Sequence, residues 1–306
     1  MMEQTLLHEP PPVDLDPVPA AVVQPLSAAS LHAVHGACMA GLITPVIIGD
    51  RRRVQDLAAD LEIALPDWVF HDVDSDEAAA DLAASLAAAG DVGLMIKGNI
   101  KTDVLMRAVL RSGGASKEGG RLSHVFTIEM PSVGYHKPLC VTDGALNVSP
   151  SVALKEVIAN NAIDLLESLG IHRPKVAVLS AAESVNSSMP SSVEAAEVAE
   201  RIQTRAQALG PVALDVALSR DAARVKGIDS PVAGDADLLV CPNIESANGI
   251  VKMAARLPET VVAGLVVGGS YPIVLPSRGD SRRSQMASCG LGRKYFAWSQ
   301  YVGRRT

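Results

Sequence analysis

The run Ser277-Arg278-Gly279-Asp280-Ser281 brings a hydroxyl, a permanent cation and a carboxylate close together in the chain. Such a set can polarise a carbonyl, hold an anion and accept a proton. It follows the apolar run Tyr271-Pro272-Ile273-Val274-Leu275, so it is expected just past a strand end, where open α/β sheets carry their sites. A plain surface turn accounts for the same residues, since Gly, Asp and Ser are ordinary turn formers. A second stretch is Cys241-Pro242-Asn243-Ile244-Glu245-Ser246-Ala247-Asn248-Gly249, with Lys252 and Arg256 beyond it. Asn243 falls near a helix start, where unpaired N–H groups favour anions. Lys252 and Arg256 are four apart, so one helix face would carry both and could clamp phosphate oxygens; a solvated helix face is the plainer reading. The third stretch, Met95 to Asp103 with Arg107 beyond, reads as strand, glycine turn and helix start. Lys97, Thr102 and local N–H groups could meet an anion there. It lacks the spacing of a Walker P-loop, and no G-x-G-x-x-G follows the first strand. His124, Asp143 and Glu183 each close an apolar run and are equally explained as structural or capping residues.

These residues need rigid elements to hold them. Aliphatic runs at 45–49, 92–96, 125–128, 139–142, 175–179, 212–218, 238–240 and 261–267 read as strands. Helical stretches are expected at 51–61, near 102–112, at 154–169, from Ser191 with Glu194 as a capping box, and at 245–257. The alternation predicts an α/β fold with a largely parallel sheet covered on both faces. The prolines of residues 1–19 predict a loose, flexible segment, and Ser149-Pro150 marks a division near residue 150. The last sixteen residues hold four of the nine aromatics and turn basic, as an added or frame-altered tail or a docking segment would.

The chain has 306 residues, 48% hydrophobic, with a formal charge of −7, so broad nucleic-acid binding is not expected. Four cysteines without metal-ligand spacing predict buried thiols in a reducing compartment. Residues 20–49 carry no Asp, Glu, Lys or Arg, but Pro25, Ser27, Ser30, Gly36 and Pro45 interrupt the stretch. A buried helix followed by a strand fits it better than a bilayer span. No secretory signal is read at the start, and a cytoplasmic protein is expected.

Taken in order, these segments resemble the phosphate acetyl/butyryltransferase family, nearest its butyryltransferase-like branch, over roughly residues 20–290. The resemblance rests on Ile96-Lys97-Gly98 to Asp103, Ser123 to Phe126, Thr142 to Asn147, Leu179 to Val185, Lys226-Gly227-Ile228, Pro231 to Gly234, Pro242 to Glu245 with Asn248, and Ser277 to Ser281. It implies a two-domain architecture related to isocitrate/isopropylmalate dehydrogenase, with mostly parallel sheets, an interdomain cleft and a homodimer. A first domain is expected over 20–148, completed by 285–306, and a second over 149–284. The family's Ser-Arg pair falls on Ser277 and Arg278, its helix cations on Lys252 and Arg256, and a first-domain arginine on Arg107. The acetyltransferase branch has an aspartate six residues past the arginine that falls on Arg278; here Ser284 stands there, and Asp280 is the candidate base. The implied reaction is reversible acyl transfer between coenzyme A and inorganic phosphate in a ternary complex. Coenzyme A is a substrate, with no further cofactor, metal, nucleic acid or membrane partner. Lys97, Thr102, Arg107, Asn243, Asn248, Lys252 and Arg256 are the expected phosphate and CoA ligands. Two other readings compete: a CoA-binding or scaffolding module without catalysis, and a metal- and NAD-dependent dehydrogenase on the related fold.

Overall fold

The computed structural model describes residues 15–66, 68–114, 120–277 and 279–303. The chain runs β1 (Val18–Val23), α1 (Ala28–Met39), β2 (Ile43–Gly49), α2 (Arg51–Asp60), β3 (Val69–Asp72), α3 (Asp76–Ala89), β4 (Leu94–Lys97) and α4 (Thr102–Arg111). It continues with β5 (Ser123–Glu129), β6 (Leu139–Thr142), α5 (Val152–Ser168), β7 (Lys175–Leu179), α6 (Pro190–Arg201), β8 (Gln207–Val212), α7 (Leu214–Leu218) and α8 (Arg220–Val225). Then come β9 (Leu238–Val240), α9 (Ile244–Ala254), β10 (Val261–Val267), β11 (Ile273–Val274) and α10 (Arg282–Gly303). No helix among the described residues is long and apolar enough to cross a membrane.

The elements fall into two compact units. One is split in sequence and holds the described residues of 15–120 and 263–303; the other is the stretch 121–262 between them. The sequence predicts divisions at 148/149 and 284/285. The structure instead groups β5 and β6 with the inserted unit and β11 with the split one.

In the split unit the strand order is β3-β2-β1-β4-β11-β10. All neighbours are parallel except β10 and β11, which pair antiparallel at Val266 and Ile273. β1 pairs on both sides, and Ala20, Ala21, Val22 and Val23 are fully buried. α3 buries Ala79, Ala80, Ala83, Ala84 and Ala87, one helical stripe of small side chains that can lie close against a sheet. α10 packs on α1 and β4, and a Cβ at Gly93 would strike the Phe296 ring. The aromatic end of the chain is therefore mostly the second half of a packed helix: Tyr295 is buried and Arg293 is only 2% exposed. Arg304 and Arg305 lie outside the described residues.

The inserted unit has the order β5-β6-β9-β7-β8, parallel except for the antiparallel β5–β6 pair. Its core gathers Ile128, Leu139, Val141, Leu179, Val212, Val216, Leu239 and Val251.

Four local expectations change. Residues 18–23 are a central strand rather than a loose segment or helix. Pro19 is tolerated there because β1 begins to pair with β4 only at Ala20. The run 212–218 ends a strand and then forms α7, since short apolar runs do not distinguish strand from helix by period alone. The capping box at Ser191 is not formed: α6 starts at Pro190 without a side-chain cap, and Glu194 instead meets Lys155 at 2.5 Å. α9 ends at Ala254, so Arg256 lies past the helix rather than on one face with Lys252.

Candidate active site

β1, β4 and β11 run parallel and end on one edge of the split sheet, at Val23, Lys97 and Val274. The turn after β4 is laced to the end of β1. Gly98 N–H donates to the Val23 carbonyl at 2.8 Å, and Asn99 N–H to the Gln24 carbonyl at 2.6 Å. A Cβ on Gly98 would strike the Gln24 carbonyl and lie 2.6 Å from that of Val23, so this close approach admits only glycine. Gln24 itself takes φ 53°, a left-handed conformation at a strand end. Three residues on, Ser27 caps α1: its hydroxyl accepts from Ser30 N–H at 3.2 Å, and Ser30 Oγ accepts from Ser27 N–H at 3.2 Å. After β11, Asp280 Oδ2 accepts from Ser277 N–H at 2.7 Å, and Asp280 N–H donates to the Ser277 carbonyl at 3.1 Å. Ser281 Oγ then accepts from Ser284 N–H at 3.1 Å and opens α10.

Together these turns enclose a pocket of about 280 Å³ lined by Ser27, Ser30, Lys97, Asn99, Ser277 and Gln285, among others. Lys97 is its one charged lining residue among the described residues and is only 8% exposed. Its ammonium donates to the carbonyls of Gly98 at 3.1 Å and Ile100 at 3.0 Å. A cation held by backbone, beside hydroxyls and the N-terminus of a twelve-residue helix, with no carboxylate among the described lining residues, suits an anion. Thr102 opens α4, whose N-cap Lys101 makes no side-chain cap bond. Arg107 is 60% exposed and pairs with Asp103 at 3.1 Å on the same helix. Arg278 lies outside the described residues.

In the inserted unit, Asn243 Oδ1 caps α9, accepting from Ser246 N–H at 3.0 Å and Ser246 Oγ at 2.6 Å. Asn248 Nδ2 donates to the Gly144 carbonyl at 3.1 Å and so pins the loop after β6. That loop is organised by buried Asp143. Its Oδ1 accepts from the N–H groups of Ala145 and Leu146, and its Oδ2 from His124 N–H and Asn147 Nδ2. His124 is 1% exposed, its Nδ1 has no hydrogen-bond partner among the described residues, and its ring meets that of Phe126 with centroids 4.2 Å apart and planes tilted by 59°. Burial pushes its pKa down to about 4 against the pull of Asp143, with Lys252 adding to the lowering, so the ring is neutral at pH 7. Lys252 and Arg256 are both exposed. Lys226, from one of the quoted segments, pairs with Glu183 at 2.7 Å and Asp215 at 3.0 Å.

A family model described as phosphate acetyl/butaryl transferase matches residues 75–289. The chain belongs to this family. It is 40% identical to the phosphate acetyltransferase of Rhizobium meliloti, over 92% of this chain and 90% of that protein. It is 33% identical to the phosphate butyryltransferase of Clostridium acetobutylicum, over 85% and 87% respectively. The crystal structure of a branched-chain phosphotransacylase from Enterococcus faecalis V583 superposes with a TM-score of 0.78 at 31% identity, covering 91% of this chain and 99% of that one. Within this phosphate acetyl/butyryltransferase chain, the structure brings Lys97 and Ser277 to one pocket, with Asp280 one turn from Ser277. Reading the sequence missed Ser27, Ser30 and Gln285, which share that pocket. Ser27 and Ser30 did carry a signal: two hydroxyls three apart, ahead of an apolar run, mark a helix start.

Proposed function

We propose that this chain catalyses the reversible transfer of a short acyl group between coenzyme A and inorganic phosphate. The observation that carries the reading is the pocket that gathers Lys97, Ser27, Ser30 and Ser277 in a chain of this family. Phosphate seated against Lys97 and the α1 hydroxyls attacks the thioester carbonyl, and the CoA thiolate leaves. The Ser277 hydroxyl donates to the oxyanion; one such donor contributes about 2.7–4 kcal/mol to the barrier. Asp280, held one turn away, takes the thiol proton in the reverse direction. Arg278 supplies a guanidinium for bidentate phosphate binding. Thr102, Arg107, Lys252 and Arg256 bind the phosphates of the two substrates, while Asn243 and Asn248 position the segment that carries Lys252. Holding both substrates together supplies much of the remaining acceleration. An architecture of the isocitrate/isopropylmalate dehydrogenase kind and a homodimer belong to the same reading, on the strength of the family resemblance. Relatives named acetyl- and butyryltransferases favour it over a dehydrogenase.

The test is thiol release from acetyl-, propionyl- and butyryl-CoA with and without phosphate. Phosphate-dependent release is expected, and an Arg278→Ala variant should lose roughly tenfold or more with its melting curve intact. CoA binding by calorimetry without any thiol release would leave a scaffolding module instead.

A further inference from the structure

We propose that an apolar recess adjoining the Lys97 pocket receives the acyl chain, and that Val34 and Cys289 limit the chain length accepted; this rests on the acyltransferase reading above. Ser30, Lys97, Gly98, Pro276 and Gln285 line both the pocket and the recess, so the two adjoin across these side chains. Past that shared rim the walls turn apolar. Val22 and Ile96 come from β1 and β4, Ala33 and Val34 from α1, Val274 from β11 and Cys289 from α10. Each of these six is 4% exposed or less. Burial pushes the Cys289 thiol up to about 12, so it lines the wall as a neutral sulfur and not as a nucleophile.

The substrate has the same two-part chemistry. An acyl thioester or acyl phosphate joins a polar carbonyl, with a charged group beside it, to an alkyl tail. A carbonyl at Ser277 would lie in the polar pocket, and its tail would reach the apolar walls. The recess holds only about 10 Å³, close to the ~10–15 Å³ that a single water needs. It therefore suits a methyl group, and longer chains must displace packed walls, which cores resist. Val34 and Cys289 stand on the two helices, α1 and α10, that pack against each other. Truncating either widens the recess without touching a strand ladder.

The experiment compares kcat/KM for butyryl-CoA with that for acetyl-CoA, with phosphate as acceptor and the full chain as enzyme. The unaltered chain is expected to prefer acetyl-CoA. Val34→Ala and Cys289→Ala should each raise the butyryl/acetyl ratio roughly tenfold or more, the usual worth of one or two methylenes in a pocket. Ala33→Val should lower it. Val54→Ala, an equal truncation on α2 outside both linings, should leave it unchanged. Because each ratio is taken on one preparation, partial unfolding cancels. A ratio unmoved in both Val34→Ala and Cys289→Ala overturns the proposal, as does a butyryl-CoA preference in the unaltered chain. Absence of thiol release from any acyl-CoA by the unaltered chain is a separate outcome, which overturns the acyltransferase reading and this assignment with it.

Discussion

At the scale of single residues, Asp280 makes a structural bond to Ser277 and, on the function proposed above, is also the proton acceptor. Asp280 Oδ2 accepts the Ser277 N–H at 2.7 Å, which fixes the backbone that presents the serine hydroxyl. An Asp280→Asn variant keeps an acceptor oxygen for that bond but no longer exchanges a proton near neutral pH. The turn should survive, with little change in melting temperature. Turnover should fall by about 10²–10⁴, the usual worth of a positioned acid–base group. Since a base in one direction is the acid in the other, kcat/KM should fall by the same factor both ways, and the acidic limb of the pH–rate profile should vanish. Turnover undiminished in Asp280→Asn would remove Asp280 from the proton path. Ser277 and Asp280 were legible as a pair because turn chemistry is local. Asn243 and Asn248 were legible as positions but not as tasks. Their side chains cap α9 and pin Gly144, and a partner 104 residues away in sequence cannot be read from a spacing.

At the scale of elements, the pocket depends on how strand ends and helix starts meet. β4, α4 and the glycine turn at Gly98 were readable because a strand, a Gly and a helix start follow one another. β1 was not, because Pro17 and Pro19 look like loop residues and only pairing on both sides makes that segment a strand. With β1 unread, the helix start at Ser27 had nothing to face, and its hydroxyls passed as mere interruptions. The seam between β1 and β4 makes its own prediction. In Gly98→Ala the added methyl meets two carbonyl oxygens that cannot turn away, because they accept the N–H groups of Gly98 and Asn99. The turn must shift and carry Lys97 with it. We expect a loss of about 1–3 kcal/mol in denaturant unfolding and a rise in KM for phosphate larger than the fall in kcat. Unchanged KM for phosphate would detach Lys97 from the anion.

At the scale of the whole molecule, acid sensitivity separates groups by the pH at which each one acts. His124 titrates at about 4 in the folded chain against an ordinary value of 6.5, because burial disfavours its charge. Between those values the unfolded chain binds a proton that the folded chain does not, so stability rises with pH across that window and falls on acidification through it. Asp235 acts lower. Burial pushes its carboxyl up, but the ammonium groups of Lys175 and Lys137 outweigh that and hold it below the usual carboxylate range. Its stabilisation is fully present above its unfolded pKa of 3.8 and is lost progressively as pH falls from there toward the lower folded value. The two contributions can therefore be told apart by one series of melting curves between pH 7.5 and pH 3. The unaltered chain should lose melting temperature steadily from about pH 6.5 to 4, and further below. His124→Gln retains the backbone bonds from His124 N–H to Asp143 and from Thr142 Oγ1 to the residue-124 carbonyl, because neither involves the ring. It should flatten the slope between pH 6.5 and 4 while leaving the steeper loss below pH 4 in place. If His124→Gln and the unaltered chain trace parallel curves through that upper window, the buried imidazole is not what the acid attacks.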